Sequence, residues 1–203
     1  GTAMRFLTAY LSRIIGKWVL TGSERMKQRP IRVLVEALNR LGARIGYLEN
    51  EGFPPLEIYG SRLVGGSIDI PASVSSQYIS ALLMIAPYME KGLEIRLTGK
   101  VVSSSYIDMT LQIMREFGAE VGREDTVIGV KPGEYRSVPY RVESDWSAAS
   151  YFYELLAIAG EGEIILTGLK EKSMQGDSRQ TVVWRKLGVR TCYEGDLVRL
   201  SAA

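Results

Sequence analysis

The sequence predicts an α/β fold assembled from repeated βαβαββ units, and three observations carry that prediction. A strand-like run ends in Leu-Thr-Gly three times, at Leu20-Thr21-Gly22, Leu97-Thr98-Gly99 and Leu166-Thr167-Gly168. About twenty residues beyond each, a helix-like segment closes at Leu41-Gly42-Ala43, Phe117-Gly118-Ala119 and Leu187-Gly188-Val189. Two short strand-like runs around a turn then follow in every copy. Self-similarity at a fixed interval marks a repeated supersecondary unit, and each closing glycine stands where a helix ends on a left-handed residue.

Taken in order, each copy opens on a strand, at Ser67 to Ile70 and at Tyr140 to Glu143 in the second and third. The first copy begins at its first helix, without that strand. The first helices start on small residues: Gly1-Thr2-Ala3, Ser75-Ser76-Gln77 and Ser147-Ala148-Ala149-Ser150. Their apolar stripes are predicted at Leu7, Tyr10, Leu11 and Ile14, at Ile79, Leu82, Leu83 and Ala86, and at Phe152, Leu155, Leu156 and Ala159. The second helices carry Ile31, Leu34, Val35, Leu38 and Leu41, then Ile107, Leu111, Met114 and Phe117. The closing strand pairs are Arg44 to Leu48 with Leu56 to Tyr59, Ala119 to Gly122 with Val127 to Val130, and Arg190 to Tyr193 with Leu197 to Leu200.

Composition narrows the function classes. A chain of 203 residues holds one large or two small domains. Hydrophobic residues at 46% and charged residues at 24% are ordinary for a globular protein. The net charge of +2, with signs alternating along the chain, lacks the basic stripe of a nucleic-acid binder. A single cysteine excludes an internal disulfide, and the absence of histidine removes the commonest general base and the usual zinc ligands. No metal or cofactor is expected. Cys192, in a predicted strand, reads as a buried structural thiol. Apolar runs such as Ala81 to Pro87 are too short to span a bilayer, and no charged segment leads into an apolar run at the start. A cytoplasmic location is the expectation.

The chemistry these residues suit is anion binding. A helix entrance offers free N–H groups and a positive dipole end. Ser73-Val74-Ser75-Ser76-Gln77 adds three hydroxyls and an amide at one such entrance, more than a single N-cap requires. The loop Arg25-Met26-Lys27-Gln28-Arg29-Pro30 is cationic. Pro30 suits the first turn of the following helix, which would place Arg29 at that entrance. An arginine there grips carboxylate or phosphate through paired hydrogen bonds, whereas Lys27 and Gln28 read as solvated loop. The matching loops hold Ser103-Ser104-Ser105-Tyr106, and Lys170, Lys172, Ser173, Gln175, Asp177 and Arg179. Loops at equivalent places in successive repeats tend to share one face. Glu143 and Asp145 beside a helix entrance read as caps or loop ligands rather than a paired acid and base.

Several segments together resemble the 3-phosphoshikimate 1-carboxyvinyltransferases (EPSP synthases). Gly1-Thr2-Ala3-Met4-Arg5 is similar to the end of that family's Asn-Ala-Gly-Thr-Ala-x-Arg motif. Thr21-Gly22-Ser23-Glu24-Arg25-Met26-Lys27-Gln28-Arg29-Pro30-Ile31 resembles its Thr-Gly-x-x-Arg-Met-x-x-Arg-Pro-Ile. Ser75-Ser76-Gln77, Ser103-x-x-Tyr106-Ile107-Asp108, Glu143-Ser144-Asp145-Trp146-Ser147-Ala148-Ala149 and Met174-Gln175-Gly176-Asp177 follow in the family's order.

The resemblance implies a two-lobed, pseudo-threefold enolpyruvyl transferase fold with three βαβαββ units per lobe. Residues 1–141 would be two units of one lobe, and residues 142–203 the first unit of the other. The implied reaction transfers the enolpyruvyl group of phosphoenolpyruvate to the 5-hydroxyl of shikimate 3-phosphate through a tetrahedral intermediate, releasing phosphate. By the same resemblance, Ser75, Ser76, Gln77, Ser103 and Tyr106 match shikimate 3-phosphate contacts. Gly1, Arg29 and Gln77 match phosphoenolpyruvate contacts, where glyphosate also binds in this family, and Arg5 supports the site. The implied partners are the small-molecule substrates, with no nucleic acid and no membrane. The full-length family member is expected to be a monomer, and this chain alone to pair as a homodimer through its open edges.

The family's N-terminal Lys-Ser segment, the Asn before Gly1 and its C-terminal Asp, Lys, Glu and Asp-His-Arg elements have no counterpart here. No catalytic residue is therefore assigned, and the chain alone is expected to be inactive. Phe6 stands where the family often has Pro. Other readings are a relative acting on UDP-N-acetylglucosamine, whose signatures differ, an RNA 3′-phosphate cyclase relative, which would need a histidine, and a non-catalytic anion-binding or assembly module.

Overall fold

The structure is a computed structural model describing residues 1–99 and 104–202. It divides into two compact units, Gly1–Val138 and Pro139–Ala203. The first runs α1 (Thr2–Arg13), β1 (Gly16–Leu20), a short helical turn α2 (Glu24–Lys27), α3 (Arg32–Arg40), β2 (Arg44–Tyr47) and β3 (Leu56–Gly60). It continues through β4 (Gly66–Pro71), α4 (Ser76–Ile85), β5 (Leu93–Thr98), α5 (Ser104–Glu116), β6 (Val121–Glu124) and β7 (Val127–Val130). The second unit holds α6 (Trp146–Ala159), β8 (Glu163–Thr167), α7 (Gln180–Lys186), β9 (Val189–Glu194) and β10 (Leu197–Ala202).

One strand order recurs three times: β1-β3-β2, β5-β7-β6 and β8-β10-β9, antiparallel throughout. In the middle copy β4 adds in parallel beside β5, Gly66 opposite Leu93 and Pro71 opposite Thr98. A parallel neighbour needs a crossover, and α4 supplies it. Gly42, Gly118 and Gly188 end the second helices at φ of 104°, 88° and 85°, a backbone region open to glycine at little steric cost.

Each sheet buries one face, and α3 lays its whole predicted stripe into the first unit's core. Fully burying a side chain such as Leu34 or Leu38 contributes about 1.5–3 kcal/mol. Helix α4 is buried nearly all round, from Tyr78 to Ile85, because α1, α3 and α5 pack about it. The Asn39 side chain finishes the outer edge of β2. Its amide donates to the Ile45 carbonyl at 3.0 Å and its oxygen accepts the Ile45 N–H at 2.9 Å, as a neighbouring strand would.

The structure corrects four expectations. Tyr140 to Glu143 forms no strand. Ser144 N–H reaches the Gly168 carbonyl at 2.8 Å and Arg141 pairs with Asp196, but Val142 is 79% exposed, so alternation buries nothing comparable to Ile68 and Ile70 of β4. The inward faces of α1 and α6 are also different ones. α1 buries Met4 and the small side chains of Thr8, Ala9 and Ser12 where it packs on α4 and β3, while Leu7 and Tyr10 are exposed. α6 buries Trp146, Ala149, Tyr153 and Leu156, leaving Phe152 and Leu155 exposed. Cys192 is exposed, since alternation along β9 turns it away from buried Val189. Finally, Arg29 is not the entrance residue of α3. Its N–H closes the α2 turn on the Met26 carbonyl at 3.0 Å, and α3 starts only at Arg32.

Candidate functional site

The first unit brings three remote segments together at the start of α4. Ser75 is its N-cap and accepts the Gln77 N–H at 3.4 Å. Gln77 then reaches back to α1: its side-chain nitrogen donates to the Thr2 hydroxyl at 3.1 Å, and its oxygen accepts from Arg5. Arg5 also donates to Ser75 Oγ at 3.4 Å and lies 5.0 Å over the Tyr78 ring. Arg29 completes the group from the α2–α3 loop, its guanidinium packed so closely on Gly1 that a β-carbon there would overlap it. Tyr78 donates to the Pro30 carbonyl at 2.6 Å, fastening that loop to α4.

Charge in this group is unevenly committed. Lys27 is held by Glu49 at 3.0 Å and Glu24 at 3.3 Å, and the two carboxylates push its ammonium pKa up. Arg5 is spent on Ser75, Gln77 and Tyr78. Among the described residues Arg25 and Arg29 enter no ion pair. Arg29, packed on the N-cap Gly1 of α1, stands at a helix N-terminus, which is the electrostatics of an anion site.

Ser76 and Tyr106 lie on the helices α4 and α5, which are tied one turn further on. Ser80 and Thr110 share a hydrogen bond at 2.8 Å between α4 and α5. Ser76 and Tyr106 each stand four residues earlier, one helical turn nearer the entrances and on the same faces. Tyr106 is 54% exposed there. Ser103 lies outside the described residues. A cavity of about 850 Å³ runs over the outer sheet face past Ser67, Glu94, Gly122 and Gly129, away from Arg29, Ser75 and Gln77.

The second unit has its own polar network at the start of α6. Asp145 caps it through Ser147 N–H at 2.8 Å. Glu143 accepts from Trp146 Nε1, Lys170 N–H and Ser173 Oγ, each at 3.0 Å. Gln175 bridges Trp146 N–H and the Ser144 carbonyl, and Ser147 donates to Asp177 at 2.6 Å. These carboxylates are cap and loop ligand, as the sequence suggests.

A family model described as EPSP synthase (3-phosphoshikimate 1-carboxyvinyltransferase) matches residues 1–200. The chain belongs to the EPSP synthase family. The 3-phosphoshikimate 1-carboxyvinyltransferase of Bacteroides fragilis is 55% identical over 201 residues, covering 98% of this chain and 49% of that protein. Its counterpart from a Sulfurovum species is 46% identical over 204 residues, covering 99% and 48%. This chain thus spans about half the length of the curated relatives it matches. The solved EPSP synthase of Acinetobacter baumannii superimposes with a TM-score of 0.77 at 23% identity, over 100% of this chain and 46% of that one. That likeness bears out the repeated-unit fold.

Within this EPSP synthase family member, sequence reasoning missed Thr2 as a partner of Gln77 and Tyr78 as the tie to Pro30. Thr2 reads only as a small helix-opening residue. Tyr78 stands outside the stripe predicted for its helix, and the need of a buried phenol for a partner to its hydroxyl is the signal that could have found it.

Proposed function

We propose that this chain carries part of the substrate-binding surface for transfer of the enolpyruvyl group from phosphoenolpyruvate to the 5-hydroxyl of shikimate 3-phosphate, with release of phosphate. One observation carries the reading: Gly1, Arg29, Ser75 and Gln77, from three segments of the chain, converge where the entrances of α1 and α4 meet, with the Arg29 charge in no ion pair among the described residues. Both substrates are small polyanions, and fixed donors at such an entrance suit them. In this reading Ser75, Ser76, Gln77, Ser103 and Tyr106 face shikimate 3-phosphate, while Gly1, Arg29 and Gln77 face phosphoenolpyruvate. Residues 1–141 belong to one lobe and 142–203 to the other, and the setting is the cytoplasm.

With about half of its relatives' length present, the chain is proposed to bind without turning over. Groups acting as general acid and base are worth roughly 10²–10⁴-fold, and none is assigned among these residues. The test is NMR titration of the chain with each substrate, beside a phosphate-release assay with both. Shifts at Gly1, Arg29 and Ser75 to Gln77, lost on Arg29→Ala for phosphoenolpyruvate, support the reading. Shifts confined to other surfaces reject it, and release at an ordinary enzyme rate rejects the claim of incompleteness.

A further inference from the structure

Tyr78 joins the two halves of the candidate site. Its ring is 8% exposed and packs in the core, the Arg5 guanidinium lies 5.0 Å over that ring, and its hydroxyl reaches the Pro30 carbonyl at 2.6 Å. The other backbone ties of the loop hold it elsewhere: Arg29 N–H to Met26 within α2, and Ile31 N–H to the Gly52 carbonyl at 2.9 Å. Neither fastens it to α4. The Tyr78 hydroxyl does.

We propose that Tyr78 is a positioning residue for the reaction described above, and the inference rests on that reading of the site. Its hydroxyl sets where Arg29 stands relative to the α4 entrance, and its ring sets the plane of Arg5, which orients the Gln77 amide. Misplacing a binding group by about 1 Å can cost around 10²-fold, so a tie one residue from Arg29 acts directly on the grip of that arginine. Hydroxyl and ring have separable effects. Tyr78→Phe keeps the ring, its packing and the surface under Arg5, and removes only the donor to Pro30.

The experiment compares the isotope-labelled chain with its Tyr78→Phe and Tyr78→Leu variants by NMR. Two quantities are read: amide exchange at Arg29 and Ile31, and affinity for phosphoenolpyruvate and for shikimate 3-phosphate separately. In Tyr78→Phe the thermal midpoint should fall by only about 2–4 °C, the effect of one lost hydrogen bond, while exchange at both amides should quicken about tenfold and phosphoenolpyruvate affinity should fall about tenfold. Shikimate 3-phosphate, assigned to the serines of α4, should keep its affinity within about twofold. Tyr78→Leu should weaken both ligands, because Arg5 loses its support. Equal loss of both ligands in Tyr78→Phe, undiminished phosphoenolpyruvate affinity, or unchanged exchange at Arg29 and Ile31 overturns the proposal. If neither substrate shifts the unsubstituted chain, the binding reading fails separately, and the exchange data still decide whether Tyr78 holds the loop.

Discussion

The guanidinium of Arg29 occupies the space that a β-carbon on Gly1 would need. The crowding atom is the far end of a flexible side chain, so Gly1→Ala should fold normally and displace Arg29 instead. Losing one well-placed charged donor corresponds to about tenfold or more in affinity. Phosphoenolpyruvate should therefore bind the variant at least about tenfold more weakly by NMR titration, with shikimate 3-phosphate nearly unaffected. Unchanged phosphoenolpyruvate affinity would show that Arg29 has room to stay in place.

Ser75 serves both as N-cap of α4 and as an acceptor for Arg5. Both contacts are long, at 3.4 Å, which puts Ser75→Ala toward the lower part of the usual N-cap range, about 0.5–1 kcal/mol. Urea unfolding at neutral pH measures this. A cost above about 2 kcal/mol would mean the hydroxyl has a larger share in holding the cluster than these contacts suggest.

Glu143 satisfies three donors on separate parts of the second unit. Glu143→Ala strands a backbone N–H, an indole N–H and a serine hydroxyl, and should destabilise that unit by about 1–3 kcal/mol. Trp146 and Trp184 both lie in it, so tryptophan fluorescence during denaturation reports the loss. A change below about 0.5 kcal/mol would show that water replaces the carboxylate freely.

Burial pushes the Tyr153 phenol up to about 12, and it pushes Tyr135 up as well. An unfolded tyrosine loses its proton near pH ~10. The folded chain therefore retains protons that the unfolded chain has given up between about pH 10 and 12. This contribution is whole below about pH 10 and is lost as pH rises through that window. Tyr153→Phe removes the titrating group along with the 2.8 Å contact to Thr191. The variant should lose about 1 kcal/mol near pH ~8, yet decline less steeply above pH ~10. Parallel pH profiles for the two proteins would count against burial as the cause.

Helices with a single apolar face were legible in the sequence. In α3 every residue of the predicted stripe is buried, and in α5 Ile107, Leu111 and Met114 are. α1 and α6 were not legible in this way, because both are apolar on more than one side. Counting large side chains selected Leu7 and Tyr10, whereas the face packed on α4 and β3 buries Thr8, Ala9 and Ser12. The site divides similarly. Gly1, Arg29 and Ser75 to Gln77 could be named from local motifs, but Arg5 with Gln77 and Tyr78 with Pro30 are contacts across 72 and 48 residues. Local spacing carries no trace of such pairs.

The amide of Asn39 has a consequence on a slower clock than folding or binding. Its nitrogen faces the Ile45 carbonyl and its oxygen faces the Ile45 N–H, so both halves of the group are required. Hydrolytic ageing to an aspartate would keep the acceptor and set a second oxygen against the Ile45 carbonyl. The Ile45 carbonyl on the edge of β2 would then lose its donor and stand open, the kind of edge from which chains begin to associate. Shelf life of the purified protein would then depend on the integrity of this one side-chain amide.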